Sequence, residues 1–218
     1  MLFRSPSNIP GSYMSRIIHL LIHLRDFSAI PKYFEKWDNL MNIQPVNRVV
    51  RKAKAAFLLA RAKQNKAEAL KIARQLDSCD SGLYDGLELI DAYLINGLTD
   101  LVVKPLAVYI RKKRNSQSLF QRLSCYRLIC DYHLVILRQC ANLPKLDFDF
   151  DEYSANGKIS LDNRIPPNKL KKMRSHHKRA KNAHKNAISI AEEIDTRLKC
   201  DVYGKEINKR WQLVQQIV

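Results

Sequence analysis

Apolar residues recur every three or four positions along most of this chain. Met14, Ile17, Ile18, Leu21 and Leu24 share one stripe, and Ile30, Tyr33, Phe34, Trp37 and Leu40 share the next. That is the period of an amphipathic helix. Pro45 breaks the pattern. Beyond it the spacing predicts helices at 46–63 and 66–77, then at about 81–95 and 98–114, and a further one from Ser118 to about Asn142. Asn65 with Glu68 three residues on is an N-cap signature, and Ser118 with Gln121 repeats it. Pro105 should interrupt and kink the helix that holds it. The result is seven helices before residue 143 and no strand. The expected fold class is all-α: stacked antiparallel helix pairs, α-solenoid-like, filling a helical-hairpin domain over residues 1–143.

The turns between paired helices fall at Arg25-Asp26, Gln64-Asn65 and Asn96-Gly97, intervals of 39 and 32 residues. A small residue (Ala29, Ala69, Gly97) stands at or near the start of each second helix. The stretches LIHLRDFSAIPKYFEKW and LLARAKQNKAEALKIARQL resemble tetratricopeptide-type helical hairpins, over about residues 13–115. The motif's first-helix Gly and terminal Pro are missing. The resemblance implies a right-handed stack of helix pairs and a groove that binds a partner segment.

At residues 144–167 the texture becomes polar and acidic, which marks a linker. At strand spacing Asp147, Asp149 and Asp151 share one face, Phe148 and Phe150 the other. Such acids can hold a divalent cation but in a linker are ordinarily solvated, and neither metal nor cofactor is expected. The segment could also fold back on the basic helix that follows and compete with its partner. Residues 168–218 are expected to form a long basic helix and a short C-terminal one. Pro167 suits a first helical position, and no breaker follows until Gly204. Leu170, Met173, His177, Ala180, His184, Ala187, Ala191, Ile194 and Leu198 keep a 3-4-3-4 spacing, a narrow seam for another helix with Leu170 at heptad position a.

Charge changes the picture most. The net charge is +17, and residues 101–200 hold 21 Lys and Arg against nine acids, which is twelve of that surplus. Opposite the seam, positions b and c carry Lys171, Lys172, Lys178, Arg179 and Lys185, with Arg174 and Lys181 beside them at e. No acid lies between Asp162 and Glu192, so the usual Glu–Lys pairs are missing. A second group, Arg111, Lys112, Lys113 and Arg114, stands at a helix end. A hydrated face is the plain reading of such helices. Unrelieved repulsion favours a polyanion instead. Lysine outnumbers arginine on the helix, and no aromatic occurs from Ser154 to Val202. The expected partner is therefore the phosphate backbone of RNA or DNA, bound with little sequence preference. Ala and His opposite the basic face suit a membrane surface poorly. His177 and His184 lie two turns apart, too far for one tetrahedral zinc, and are expected to bond a packing partner that protonation would disturb.

Other classes recede. The five cysteines form no C-x-x-C pair, which points to a reducing intracellular compartment rather than a disulfide framework. No apolar run approaches the roughly 20 residues of a membrane span. Residues 1–25 carry Arg4, Arg16 and Arg25, four serines and no acid. They resemble a mitochondrial presequence, so the mitochondrion stands as alternative to the cytoplasm. Nucleotide-binding, hydrolase and zinc-protease motifs are missing. Arg127-LICDY-His133 resembles the R-x(4–6)-H motif of HEPN-type ribonucleases, although the residue after Arg, commonly polar there, is Leu128. The resemblance implies Arg127 and His133 acting on an RNA phosphate. The expected function is a non-enzymatic, nucleic-acid-binding accessory or scaffold protein with a protein partner or larger complex. A tetratricopeptide-like adaptor and a HEPN-like ribonuclease are the alternatives.

Overall fold

The computed structural model describes residues 45–79, 86–143 and 165–217, with Ile17, Ala29, Lys32 and Tyr33. These described residues are helical and contain no strand. The helices are α1 (Pro45–Ala62), α2 (Lys66–Asp77), α3 (Leu87–Ile95), α4 (Thr99–Lys113), α5 (Leu119–Cys140), α6 (Pro167–Leu198) and α7 (Val202–Gln215). The all-α expectation is met. The helices expected before residue 45, the presequence-like stretch, residues 81–85 and the acidic linker at 144–164 lie outside the described residues. The chain gathers into two compact units, residues 1–92 and 93–218, so α6 shares a unit with α4 and α5.

In the first unit α1 and α2 pack as an antiparallel pair. Their apolar stripes bury Phe57, Ala60, Ala69, Ile72, Ala73 and Leu76. The reversal needs one left-handed residue, Gln64 at φ 56°. Asn65 then caps α2 as its sequence predicts, Oδ1 accepting the Glu68 N–H at 3.2 Å. Lys54–Glu88 at 3.5 Å and Arg61–Asp91 at 3.4 Å tie α1 to α3.

In the second unit two local expectations are corrected. Helix α4 runs unbroken through Pro105. The carbonyl that loses its partner there belongs to Leu101, a residue 49% exposed, so water can satisfy it. Helix α5 starts after Ser118, yet the Ser118 side chain makes no cap bond. Ser116 takes the role: its hydroxyl donates to Gln121 Oε1 at 2.7 Å and accepts the Ser118 N–H at 3.1 Å.

Helix α5 is the centre of this unit, with α4, α6 and α7 all packed against it. Leu123 meets Ala187, Ile190, Ala191 and Ile194 of α6, while His133 meets His176, so α5 and α6 run antiparallel. Helix α7 returns antiparallel along α6, with His184 against Asn208 and Asp195 against Gly204. Ala180, Ala183, Ala187 and Ala191 are buried on α6, and such small side chains let helix axes approach closely. One ion pair is buried with this core: Arg210 Nε donates to Asp131 Oδ1 at 3.1 Å, both side chains about 5% exposed or less. The same guanidinium also bonds Glu206 Oε1 at 2.7 Å.

Helix α6 ends earlier than its sequence suggests, at Leu198 rather than near Gly204. Lys199 turns the chain in the left-handed conformation, φ 52° and ψ 47°. Gly204 lies inside α7, where a Cβ would come within 3.2 Å of Asp195 Oδ2. It is there for close approach, not for a break. Asp195 accepts the N–H groups of Tyr203 at 3.1 Å and Gly204 at 2.8 Å. Desolvation opposes its ionisation, but these bonds and that from Cys200 hold its carboxyl below the usual range.

Candidate nucleic-acid interface

Helix α6 carries the basic face as one rod of 32 residues, with Pro167 in its first turn. At about 1.5 Å per residue it is roughly 48 Å long. Its buried stripe is turned slightly from the one expected. The d positions Met173, Ala180, Ala187 and Ile194 are buried, as are Ala183 and Ile190 at g, whereas Leu170 and Leu198 at the ends of the a row are 37% and 55% exposed. The rod has two partners, and that explains the turn. Helix α5 lies on its d/g side, where His176 meets His133, and α7 lies on its a side, where His177 and His184 meet Trp211.

All seven expected cations of α6 are exposed: Lys171, Lys172, Arg174, Lys178, Arg179, Lys181 and Lys185. They form two groups rather than one. Lys171, Arg174, Lys178, Lys181 and Lys185 follow a 3-4-3-4 spacing and make a continuous ridge on the solvent side. Lys172 and Arg179, at c, lie about 100° further round and flank His176. Burial first, then the charges of Lys172 and Arg179, push the His176 pKa down. Among the described residues no carboxylate pairs with any of the seven. Glu192 and Glu193 end the stripe. The second expected group sits on the last turn of α4: Arg111, Lys112 and Arg114 are exposed and Lys113 is half-buried. Cations there also complement the helix dipole. Arg114 lies over the Tyr126 ring, 6.0 Å from its centroid. Tyr126 packs against the cluster containing Ala187, so this group stands level with the Lys185 end of the ridge.

No protein-family model, no curated protein and no solved structure matches this chain.

Two arrangements beside the ridge escaped sequence reasoning. Trp211 of α7 stands 5.5 Å from the His177 ring and 5.0 Å from the His184 ring, nearly parallel to both. Two helical turns separate these histidines by about 10.5 Å, so the indole fills the space between them. His184 Nε2–H also donates to Asn208 Oδ1 at 3.2 Å. The signal was present as the unexplained pair of histidines on an otherwise Ala-rich seam. The indole uses both faces on imidazole and leaves none for a base.

The second arrangement is His133 Nδ1 at 2.8 Å from His176 Nδ1, one ring donating and the other accepting. His133 is 6% exposed. Burial first, then the His176 and Arg179 charges, lower its pKa to about 4. Arg127, the other residue of the ribonuclease-like pair, is six positions earlier, about 9 Å along the axis and 120° round it. No group of three or more metal-binding side chains occurs among the described residues, and no described helix is long and apolar enough to cross a membrane.

Proposed function

We propose that this protein binds the phosphate backbone of RNA or DNA through the α6 ridge, as a non-enzymatic accessory or scaffold component. One observation carries the reading: Lys171, Arg174, Lys178, Lys181 and Lys185 stand in file on a rigid helix with no carboxylate partner among the described residues. A merely hydrated helix of this length would gain stability from interleaved glutamates, and this one has none until Glu192. Lysine point charges and a helix α6 without Phe, Tyr or Trp support backbone contact over base reading. Five cysteines, none of them in a disulfide, support a reducing intracellular compartment.

The test is the salt dependence of binding to a short duplex. Neutralising about six phosphates gives a slope of log affinity against log salt near −5. Replacing Lys171, Lys178 and Lys185 by Gln should flatten it by about 3. A wild-type slope near zero refutes the reading.

The adaptor alternative draws on Leu101, Val103 and Val108, which are 49%, 52% and 42% exposed on α4. A tetratricopeptide-like hairpin array would offer such a surface to a protein partner, and both roles are compatible in one chain. The ribonuclease alternative finds less support. A buried His133 facing His176 is poorly placed to meet a substrate phosphate. Incubation with unstructured RNA, with and without His133→Ala, tests it directly.

A further inference from the structure

The turn from α4 to α5 frames an open cleft of about 540 Å³ lined by Arg114, Asn115, Ser116, Arg122 and Tyr126. We propose that this cleft binds the phosphomonoester of a single nucleotide unit between the Arg114 and Arg122 guanidiniums. The proposal deepens the polyanion reading by adding a site for a strand end or a free nucleotide.

The cleft is built rather than incidental. Ser116 holds the turn by bonding both Gln121 Oε1 and the Ser118 N–H, so the wall that carries Asn115 is fixed. The Arg114 guanidinium rests over Tyr126 at 6.0 Å, an arrangement that orients its plane while leaving N–H edges for an acceptor. Arg122 comes from the first turn of α5. Among the described residues neither guanidinium pairs with a carboxylate. The sequence places no Asp or Glu between Asp100 and Asp131, so no neighbouring acid along this segment offsets the two charges.

Size and charge select the ligand. The volume lies within the range of small-molecule sites, roughly 300–1,000 Å³, which accommodates one nucleotide and not a duplex. Two fixed positive charges match a monoester carrying about −1.5 to −2 better than a diester carrying a single negative charge. Forked guanidiniums suit phosphate oxygens in particular. The Asn115 amide and Tyr126 hydroxyl supply neutral hydrogen-bonding groups beside them.

The experiment compares two short single-stranded oligonucleotides that differ only in a 5′-phosphate or 5′-hydroxyl, with a calorimetric titration of adenosine 5′-monophosphate alongside. The phosphorylated strand should bind about tenfold more tightly, and Arg114→Gln or Arg122→Gln should each erase the preference. Binding of the mononucleotide without end preference, lost in both variants, supports the same site with free nucleotide as its source. Equal affinity for both strands together with no mononucleotide binding overturns the proposal. So does any preference that survives both substitutions. Unchanged helical circular dichroism in the variants excludes a folding defect. The ridge substitutions should weaken both strands alike, and a flat salt slope with the end preference intact would sink the ridge and spare the cleft.

Discussion

Helices α5 and α6 pack against each other along most of their length, yet they are built on opposite plans. Twelve residues of the 22 in α5 are buried, and these include Asp131, His133 and Arg138 besides the apolar side chains. Seven of the 32 in α6 are buried, four of them alanines. Helix α5 is held by neighbours on several sides, and its buried Asp131 and His133 meet Arg210 and His176 there. Helix α6 spends a narrow small-residue stripe on docking and leaves its outer ridge to solvent. A substitution should therefore act on stability in α5 and on binding in α6.

The largest effect is expected at Asp131. Its carboxylate and the Arg210 guanidinium are both buried, and removing the carboxylate takes away the buried half of that pairing while Glu206 Oε1 still meets the guanidinium. Asp131→Ala should cost about 1.5–3 kcal/mol in urea denaturation. Exchanging both residues for apolar ones of similar volume should restore most of it. A loss under about 1 kcal/mol for the single variant would mean that α5 is less enclosed than its burial indicates.

Next comes pH. The His133 pKa falls from 6.5 in the unfolded chain to about 4 in the fold, through burial and then the neighbouring His176 and Arg179 charges. Below about pH 6.5 the unfolded chain takes up a proton that the folded one refuses. Stability is thus complete above pH 6.5 and drains away as pH falls toward 4. For this group alone the loss between pH 7 and pH 5 is about 2 kcal/mol. His176 and His177, also lowered first by burial, act with the same sign. His133→Gln should flatten the profile over that window, and a profile left as steep as the wild type's would place the titration elsewhere.

A smaller change tests the end of the rod. Lys199 adopts φ 52° at the C-cap of α6, where glycine carries no side-chain penalty. Lys199→Gly should stabilise the second unit by about 0.5–1 kcal/mol, read as a raised denaturation midpoint.

These cases also mark how far the sequence could be read. Local chemistry was legible: the Asn65 cap, the Pro167 start and the 3-4-3-4 seam each depend on residues within a few turns of one another. Partners distant in sequence were not. Nothing in the spacing joins Asp131 to Arg210, 79 residues apart, or His133 to His176, 43 apart. The indole between His177 and His184 belongs to another helix, so the spacing within α6 does not show what the two histidines pack against. A left-handed lysine such as Lys199 has no compositional signal, whereas Gly204 has one and serves a different purpose. Helical phase explains the split of the cations. Positions b and c are adjacent in a heptad but about 100° apart on the rod, so Lys172 and Arg179 join the histidine edge rather than the ridge.

A modest stability effect on the ridge is the most informative about function. Lys178 has Arg174 four residues before it and Lys181 three after, and like charges at those spacings repel. Lys178→Glu turns both contacts attractive, each worth about 0.2–0.5 kcal/mol. The variant should melt slightly higher than the wild type, with most of the gain lost in high salt. Its affinity for duplex at low salt should fall, because a negative charge now interrupts the file proposed to follow the phosphates. A more stable protein that binds less is the signature of charge retained for a ligand at the expense of the fold. If affinity holds while stability rises, the ridge is a solvated face, and α6 differs from α5 only in how much of it is wet.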